Sequence, residues 1–183
     1  MNITMLGTGN AAVTECYNTC FVLTEGEKHL LVDGGGGNTL LSQLKKAGFA
    51  WQDMREIFVS HKHVDHLIGI LWMIRMICQN ISRGKYEGEA WIYGHDEVIA
   101  VLKNMAYQLF SEKETKYIDD RLHMVVVKDG EESIIMGKKI TFFDIGSTKA
   151  KQYGFCMDIG GEKLTCCGDE PYNPREEKYA RNS

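Results

Sequence analysis

The chain has 183 residues, of which 44% are hydrophobic, and its formal net charge is −4 at pH 7. That length is enough for a buried core, and we expect a single domain over residues 1–183. The negative charge argues against a general attraction to nucleic acid. The first residues lack the basic region and apolar core of a signal peptide. The six cysteines include no CxxC pair, so we expect reduced thiols in a cytoplasmic protein.

Apolar patterns along the chain predict alternating strands and helices. In chain order, the predicted strands cover residues 3–6, 19–24, 29–33, 56–60, 90–93, 123–128, 133–136, 139–143, 154–159 and 163–167. The predicted helices cover residues 38–47, with Asn38 as the N-cap, 65–80 and 96–110. Residues 175–183 show no capping or closing element. This mixture of elements predicts an α+β fold.

A run of metal-ligand residues lies between a predicted strand and a predicted helix. His61, His63, Asp65 and His66 fall within six residues. Residues two apart in an extended loop point the same way, so His61 and His63 can bind one ion. Asp65 and His66 lie where the chain turns into the helix and can serve a second ion. Because imidazole and carboxylate suit zinc, manganese and iron, the segment predicts a transition-metal site rather than a chance polar loop.

Cys16 and Cys20 form an alternative metal pair with a spacing of four. Cys20, however, continues into a predicted strand, which favours a buried thiol. The sequence therefore favours the histidine-rich segment as the metal site.

The His61-x-His63-x-Asp65-His66 pattern after a hydrophobic strand resembles the signature motif of the metallo-β-lactamase superfamily. Residues 5–12, Asn18, residues 31–36 and residues 165–169 resemble landmarks of its ribonuclease Z-like branch. The resemblance implies a metallo-β-lactamase-like αβ/βα sandwich and hydrolysis by a metal-activated water. It implies two Zn²⁺ ions, with Mn²⁺ or Fe as alternatives.

The resemblance also implies a role for each aspartate. Asp169 would bridge the two ions, and Asp65 would orient the water or take its proton. Asp33, at a strand end beside four glycines, would order the metal loop from behind.

Two departures from the family pattern concern ligands. The superfamily supplies another histidine between the signature and the bridging aspartate, but residues 142–149 contain none, and Gly146 stands at about that place. A last histidine well beyond the Gly-Asp motif is also expected, whereas this sequence ends at Ser183. We therefore expect a sandwich that is incomplete at the C-terminus, a truncated chain, and an impaired 183-residue form. A naturally short family member is the alternative.

The favoured substrate is a phosphodiester, because the branch resembled acts on phosphodiester bonds, including RNA 3′ ends. The predicted short strand-turn-strand over residues 155–168 lies where ribonuclease Z carries its tRNA-gripping arm, which argues against transfer-RNA processing specifically. Candidate substrate contacts are Lys149, Lys151 and His95, and the alternatives are a solvated strand edge and a surface histidine. A lactone or thioester hydrolase and a non-catalytic metal-binding or scaffold protein remain alternative functions.

The predicted helix over residues 65–80 is apolar on nearly every side. It is too short for a membrane span and carries Arg75, so we expect burial on more than one side. The resemblance implies a homodimer through this region, burying part of Trp72, Met73 and Met76. Cover by the chain's own loop over residues 80–89 is the alternative.

Overall fold

The computed structural model describes residues 1–183 as ten strands in two sheets, with five helices. The strands are β1 (Asn2–Gly7), β2 (Cys20–Glu25), β3 (Lys28–Val32), β4 (Glu56–Val59), β5 (Ala90–Gly94), β6 (Leu122–Val126), β7 (Glu132–Ile135), β8 (Lys138–Asp144), β9 (Tyr153–Asp158) and β10 (Lys163–Cys166). The helices are α1 (Thr39–Lys46), α2 (Val64–Ser82), α3 (Asp96–Leu109), α4 (Glu112–Thr115) and α5 (Pro174–Ala180). Every predicted strand and helix is present, with no end displaced by more than two residues.

The first sheet has six strands in the order β1 to β6. Strands β1, β2 and β3 are antiparallel, and β3, β4, β5 and β6 run parallel. Because the carboxyl ends of parallel strands meet at one edge, residues that follow β3, β4 and β5 are gathered there. Asp33, the loop after Val59, and His95 therefore share one end of the sheet.

The second sheet is antiparallel, in the order β10-β9-β8-β7. A buried cluster of 13 residues fills the space between the two sheets. Phe58 of the first sheet lies 5.5 Å from Phe142 and 5.3 Å from Phe155, measured between ring centroids. Such offset and edge-on aromatic pairs add specific geometry to the burial of apolar surface. The two sheets therefore pack as a sandwich.

The other face of the first sheet is covered by helices, and 27 buried residues form the core there. Helix α2 packs against α3 and α4, and its buried side chains belong to the core that the helices share with the first sheet. The expected burial on more than one side is therefore confirmed, although the cover is not the loop over residues 80–89 alone. Met73 has no exposed surface, whereas Trp72 and Met76 are half-buried. None of the helices combines the length and apolarity needed to cross a bilayer.

The expectation that the last residues lack a capping element is wrong. Helix α5 begins with a capping box between Asn173 and Glu176, and Pro174 occupies the first turn. Asparagine before proline, with glutamate three positions after the cap, is a typical helix start. Tyr179 of this helix stacks on Phe143 of β8, with ring centroids 4.3 Å apart. Helix α5 thereby covers the outer face of the second sheet.

A close approach of two backbones joins α2 to the glycine run after β3. The amide of Gly69 donates to the carbonyl of Gly35 at 2.8 Å. A Cβ at Gly69 would lie 1.8 Å from the carbonyl oxygen of Gly34, and a backbone atom cannot yield as a side-chain end can.

We expect Gly69→Ala to destabilise the fold by at least about 2 kcal/mol, because the added methyl group must displace backbone. Gly37→Ala is the matched control, since nothing lies within 4 Å of its Cβ position. Urea unfolding followed by circular dichroism measures both variants. Equal midpoints for the two variants would contradict this account of the contact.

Candidate metal centre

The signature segment lies where β4 ends and α2 begins. Strand β4 ends at Val59, and α2 begins at Val64 after His63, which has the extended backbone of an N-cap residue. His61 is fully buried, His63 is exposed, and His66 retains 4% of its surface. The segment therefore points from the core towards a cavity at the sheet end.

Three ligand atoms converge on one point, contributed by His61, His63 and Asp169, all within 4.8 Å of one another. His61 Nε2 lies 2.8 Å from His63 Nδ1 and 3.8 Å from Asp169 Oδ1. Donors around a tetrahedral zinc, with bonds of about 2.0–2.1 Å, lie about 3.3 Å apart. The observed spacings lie on either side of that value, so this donor set fits a small transition-metal ion.

A second group shares Asp169 with the first. His66 Nε2 lies 3.3 Å from Asp169 Oδ2 and 3.6 Å from Asp65 Oδ2. The two oxygens of Asp169 thus face different histidines, one towards His61 and the other towards His66. Asp169 therefore lies between the two groups of side chains.

Behind the histidines, the buried carboxylate of Asp33 fixes their orientation. Oδ1 accepts from the Ser60 amide at 2.8 Å, and Oδ2 accepts from Ser60 Oγ at 2.7 Å. His66 Nδ1 also bonds Oδ2, at 2.8 Å. Ser60 Oγ lies 2.9 Å from His61 Nδ1 and can accept a hydrogen bond from the Nδ1–H group of that ring. Both rings are thereby held with Nε2 directed at the cavity, the arrangement that orders ligands in metal sites.

Asp33 has φ of +58°, an uncommon conformation for a residue with a side chain. Residues held in such regions are typical of sites where the surrounding structure dictates geometry. Asp33 thus contacts Ser60 and His66 of the signature segment, and its role in ordering metal ligands stays a prediction.

The pKa values of the two buried histidines, His61 and His66, are shifted in opposite directions. Burial, together with the nearby His66, lowers the pKa of His61 to about 4. Burial alone would also lower the pKa of His66, but hydrogen bonds to Asp169 and Asp33 outweigh it and raise the pKa to about 10. The same bond to His66 holds the pKa of Asp169 far below its usual range. His61 is therefore a neutral donor at pH 7, while His66 carries a proton that a bound cation would displace.

The cavity in front of these side chains has a volume of about 380 Å³. The glycine turn after β1 supplies one wall, and the opposite side includes Lys149 and Glu170. Asn18 ties the glycine segments together, donating to the carbonyl of Asn10 at 2.8 Å and accepting from the amide of Gly36 at 3.1 Å. The segments that resemble family landmarks therefore meet at the cavity.

Lys151 and His95 do not line this cavity, in contrast to Lys149. His95 has no exposed surface, so the expected rim position is wrong, and so is the alternative of a surface histidine. It sits at the buried end of β5, 5.4 Å from the Tyr153 ring between centroids. Lys151 is paired with Asp96 at 2.5 Å, which directs its charge towards the start of α3.

Gly146 has φ of +77°, and a Cβ there would lie 2.8 Å from the Arg175 side chain. A residue at this position would thus meet the start of α5. The loop over residues 145–149 contains no histidine, as the sequence shows.

Sequence reasoning missed two residues of the site, Ser60 and Glu170. Ser60 directly precedes the signature, and its hydroxyl links Asp33 to His61. Glu170 follows Asp169 and lines the cavity. Adjacency to predicted ligands was the available signal for both.

The cysteines are all free thiols. Cys16 is exposed, whereas Cys20 is buried in the helix-side core, as its strand position indicated. Because one thiol is exposed and the other is buried, the structure does not favour a metal shared by Cys16 and Cys20.

Sequence relatives include two archaeal proteins named ribonuclease Z. The protein from Nitrosopumilus maritimus is 27% identical over 141 residues, which cover 74% of this chain and 47% of the relative. The protein from Archaeoglobus fulgidus is 29% identical over 143 residues, covering 77% of this chain and 42% of the relative. The chain thus spans about half the length of these curated relatives.

Solved structures with the same fold include the metallo-β-lactamase-fold protein YhfI from Bacillus subtilis. Its TM-score is 0.74 at 20% identity, covering 97% of this chain and 66% of that one. The short form of human tRNase Z has a TM-score of 0.68 at 19% identity, covering 92% of this chain and 69% of that one. At these identities the likeness establishes the fold, which confirms the predicted metallo-β-lactamase-like α+β sandwich.

A family described as anti-Pycsar protein Apyc1 matches the sequence over residues 1–183, and the resemblance to ribonuclease Z did not single that family out. The predicted superfamily and branch are confirmed by the relatives and the fold. The chain therefore belongs to the anti-Pycsar protein Apyc1 family, a ribonuclease Z-like group within the metallo-β-lactamase superfamily.

Proposed function

We propose that this protein is a metal-dependent hydrolase of phosphodiester bonds. The observation that carries the proposal is the convergence of His61, His63 and Asp169 at the mouth of a cavity that also contains Asp65 and His66. Relatives named ribonuclease Z support hydrolysis as the class of reaction. The phosphodiester preference rests on that relationship and on the cationic Lys149 in the cavity wall.

The donor set suits two zinc ions. His61 and His63 would hold one and Asp65 and His66 the other, and Asp169, whose two oxygens lie near His61 and His66, would contribute to both. Nitrogen and carboxylate donors also accept manganese or iron, so zinc is the first candidate. Asp33 would act from behind by holding both buried rings.

The chemistry of the metal, when bound, is to lower the pKa of a coordinated water towards neutrality and so supply hydroxide. Asp65, whose carboxylate lines the cavity beside His66, would orient an attacking water or accept its proton. Lys149 can bind a phosphate oxygen, since its exposed side chain lines the cavity. His61 has no exposed surface, so the protein shields this donor from bulk solvent.

RNA is one candidate substrate. The hairpin between Tyr153 and Cys166 is short, with the amide of Ile159 donating to the carbonyl of Glu162 at 2.9 Å. No long arm projects there, which favours a small diester or an RNA end over the grip of a whole transfer RNA.

We expect replacement of His61 and His63 together by alanine to remove bound metal, because both supply nitrogen donors to the same point. Elemental analysis of protein purified without chelator should find zinc, manganese or iron in the unaltered chain. His123→Ala is the control, since that ring bonds Glu89 and stacks on Trp91 far from the donors. Full metal retention by the double variant would refute the ligand assignment.

Turnover of a nitrophenyl phosphodiester should fall at least about 100-fold in Asp65→Asn, which cannot accept a proton or bind metal as a carboxylate does. Asp53→Asn, in the 3₁₀ turn over Trp51–Asp53, is the matched control. Spectrophotometric release of nitrophenol measures both. Absence of turnover in a fully metal-loaded unaltered chain would favour the non-catalytic metal-binding alternative, and activity confined to a thioester or lactone would favour the other hydrolase class.

We also infer a homodimer through the outer side of α2, where Trp72 and Met76 remain half-buried and Arg75 lies over the Trp72 ring. Met73 belongs to the core and cannot be the contact.

Light scattering should show twice the monomer mass, and Met76→Glu should reduce it to the monomer mass by placing a charge in the contact. Ile134→Glu makes the same change at an exposed apolar position on β7 and should leave the dimer intact. A monomeric unaltered chain would rule the dimer out.

A further inference from the structure

Glu170 follows Asp169 directly and lines the same cavity as His63, Asp65 and His66. The side chain is half-buried, so it is neither part of the core nor free in solvent. Nothing in the resemblance to known families assigned a role to this carboxylate. Its surroundings show what holds it there.

One oxygen of Glu170 is anchored from two directions. Oε1 accepts from Ser147 Oγ at 2.8 Å and from Gln152 Nε2 at 3.1 Å. Gln152 has no exposed surface, which makes that donor rigid. The second oxygen, Oε2, receives no hydrogen bond and no ion pair. A carboxylate with one oxygen held and the other free is prepared to donate to a cation.

Ser147 is itself fixed by the loop that carries it. Its hydroxyl oxygen accepts from the amide of Lys149 at 3.2 Å and from the amide of Ala150 at 3.4 Å. The hydroxyl hydrogen is therefore free to point at Glu170, as the 2.8 Å contact shows. The loop thus orients a carboxylate that lies outside it.

The same loop is the place where the resemblance led us to expect a histidine ligand. Gly146 cannot serve, because it has no side chain and its Cβ position faces Arg175. The neighbouring Ser147 instead reaches Glu170. The loop contributes to the site indirectly, through the carboxylate that it holds.

We propose that Glu170 Oε2 is an additional metal ligand at this centre, beside Asp169, in a site whose expected loop histidine is absent from the sequence. The inference rests on the proposed metal-dependent function. An oxygen donor in place of nitrogen keeps the site within the chemistry of zinc and moves its preference towards manganese. It also adds one negative charge to the donor set, which favours divalent over monovalent cations.

The test compares Glu170→Gln with the unaltered chain. Glutamine keeps the oxygen that Ser147 and Gln152 hold and replaces the free oxygen with an amide group that does not bind metal. We expect Zn²⁺ affinity, measured by competition with a chromophoric chelator, to fall at least about 10-fold, as for loss of a supporting ligand. The d–d absorption of the Co²⁺-loaded variant should also change, which an effect of charge alone would not produce.

Two controls separate the possible failures. Glu162→Gln removes an exposed carboxylate from the β9–β10 turn and should bind like the unaltered chain. The double alanine variant of His61 and His63 reports on the centre itself. Matching circular dichroism of the metal-free proteins establishes that each variant is folded.

If the histidine variant loses metal while Glu170→Gln keeps both the affinity and the Co²⁺ spectrum, Glu170 is not a ligand and the proposed function stands. An affinity loss with an unchanged spectrum also overturns ligation, because charge then accounts for the effect. If the histidine variant retains full metal, the proposed centre fails, and with it the assignment of Glu170.

Discussion

The candidate centre depends on a single buried carboxylate. Asp33 receives three hydrogen bonds, from the Ser60 amide, the Ser60 hydroxyl and the His66 ring. Burying a charge without partners is costly, and these three donors offset that cost. They also dictate which nitrogen of each ring faces the cavity. Without that carboxylate the signature segment would be a polar loop with no fixed direction.

The backbone supports the same arrangement. The contact of Gly69 with Gly34 and Gly35 sets the start of α2 against the glycine run, so Asp65 and His66 lie in one place relative to Asp33. Strands β3 and β4 are parallel neighbours, which brings Asp33 beside Ser60 although 27 residues separate them along the chain. The site is therefore a product of the sheet order as much as of its own residues.

Much of this was predictable from the sequence, for identifiable reasons. The strands follow from apolar runs bounded by glycine, and His61, His63, Asp65 and His66 stand out because local spacing alone brings their side chains together. Asp169 is distant in sequence and was found through the family resemblance. Its carboxylate oxygens lie 3.8 Å from His61 and 3.3 Å from His66, and its role as a bridge between two ions stays a prediction.

The remaining features depend on contacts between distant segments. His95 looks like a surface residue in sequence, but the end of β5 is covered by the Tyr153 segment of the second sheet. In the sequence, Lys151 forms a basic cluster with Lys149, yet in the structure Lys151 forms an ion pair with Asp96 at the start of α3. The role of Ser147 in holding Glu170 requires a loop geometry that no local pattern encodes. Helix α5 is the exception, since its capping signal, Asn173 before Pro174 with Glu176 three positions after the cap, is present in the sequence.

The centre also spans the boundary between the two sheets. His61 and His63 follow a strand of the first sheet, whereas Asp169 follows a strand of the second. An ion held by all three would add a cross-link between two layers that adhere through apolar side chains and a few polar contacts, such as the amide of Tyr153 donating to the carbonyl of Ser60. A ligand that binds only the folded chain stabilises it by an amount that grows with the logarithm of the free ligand concentration, about 2.7 kcal/mol at 100 times its Kd. The free energy of unfolding of this sandwich would then depend on the metal concentration around the protein.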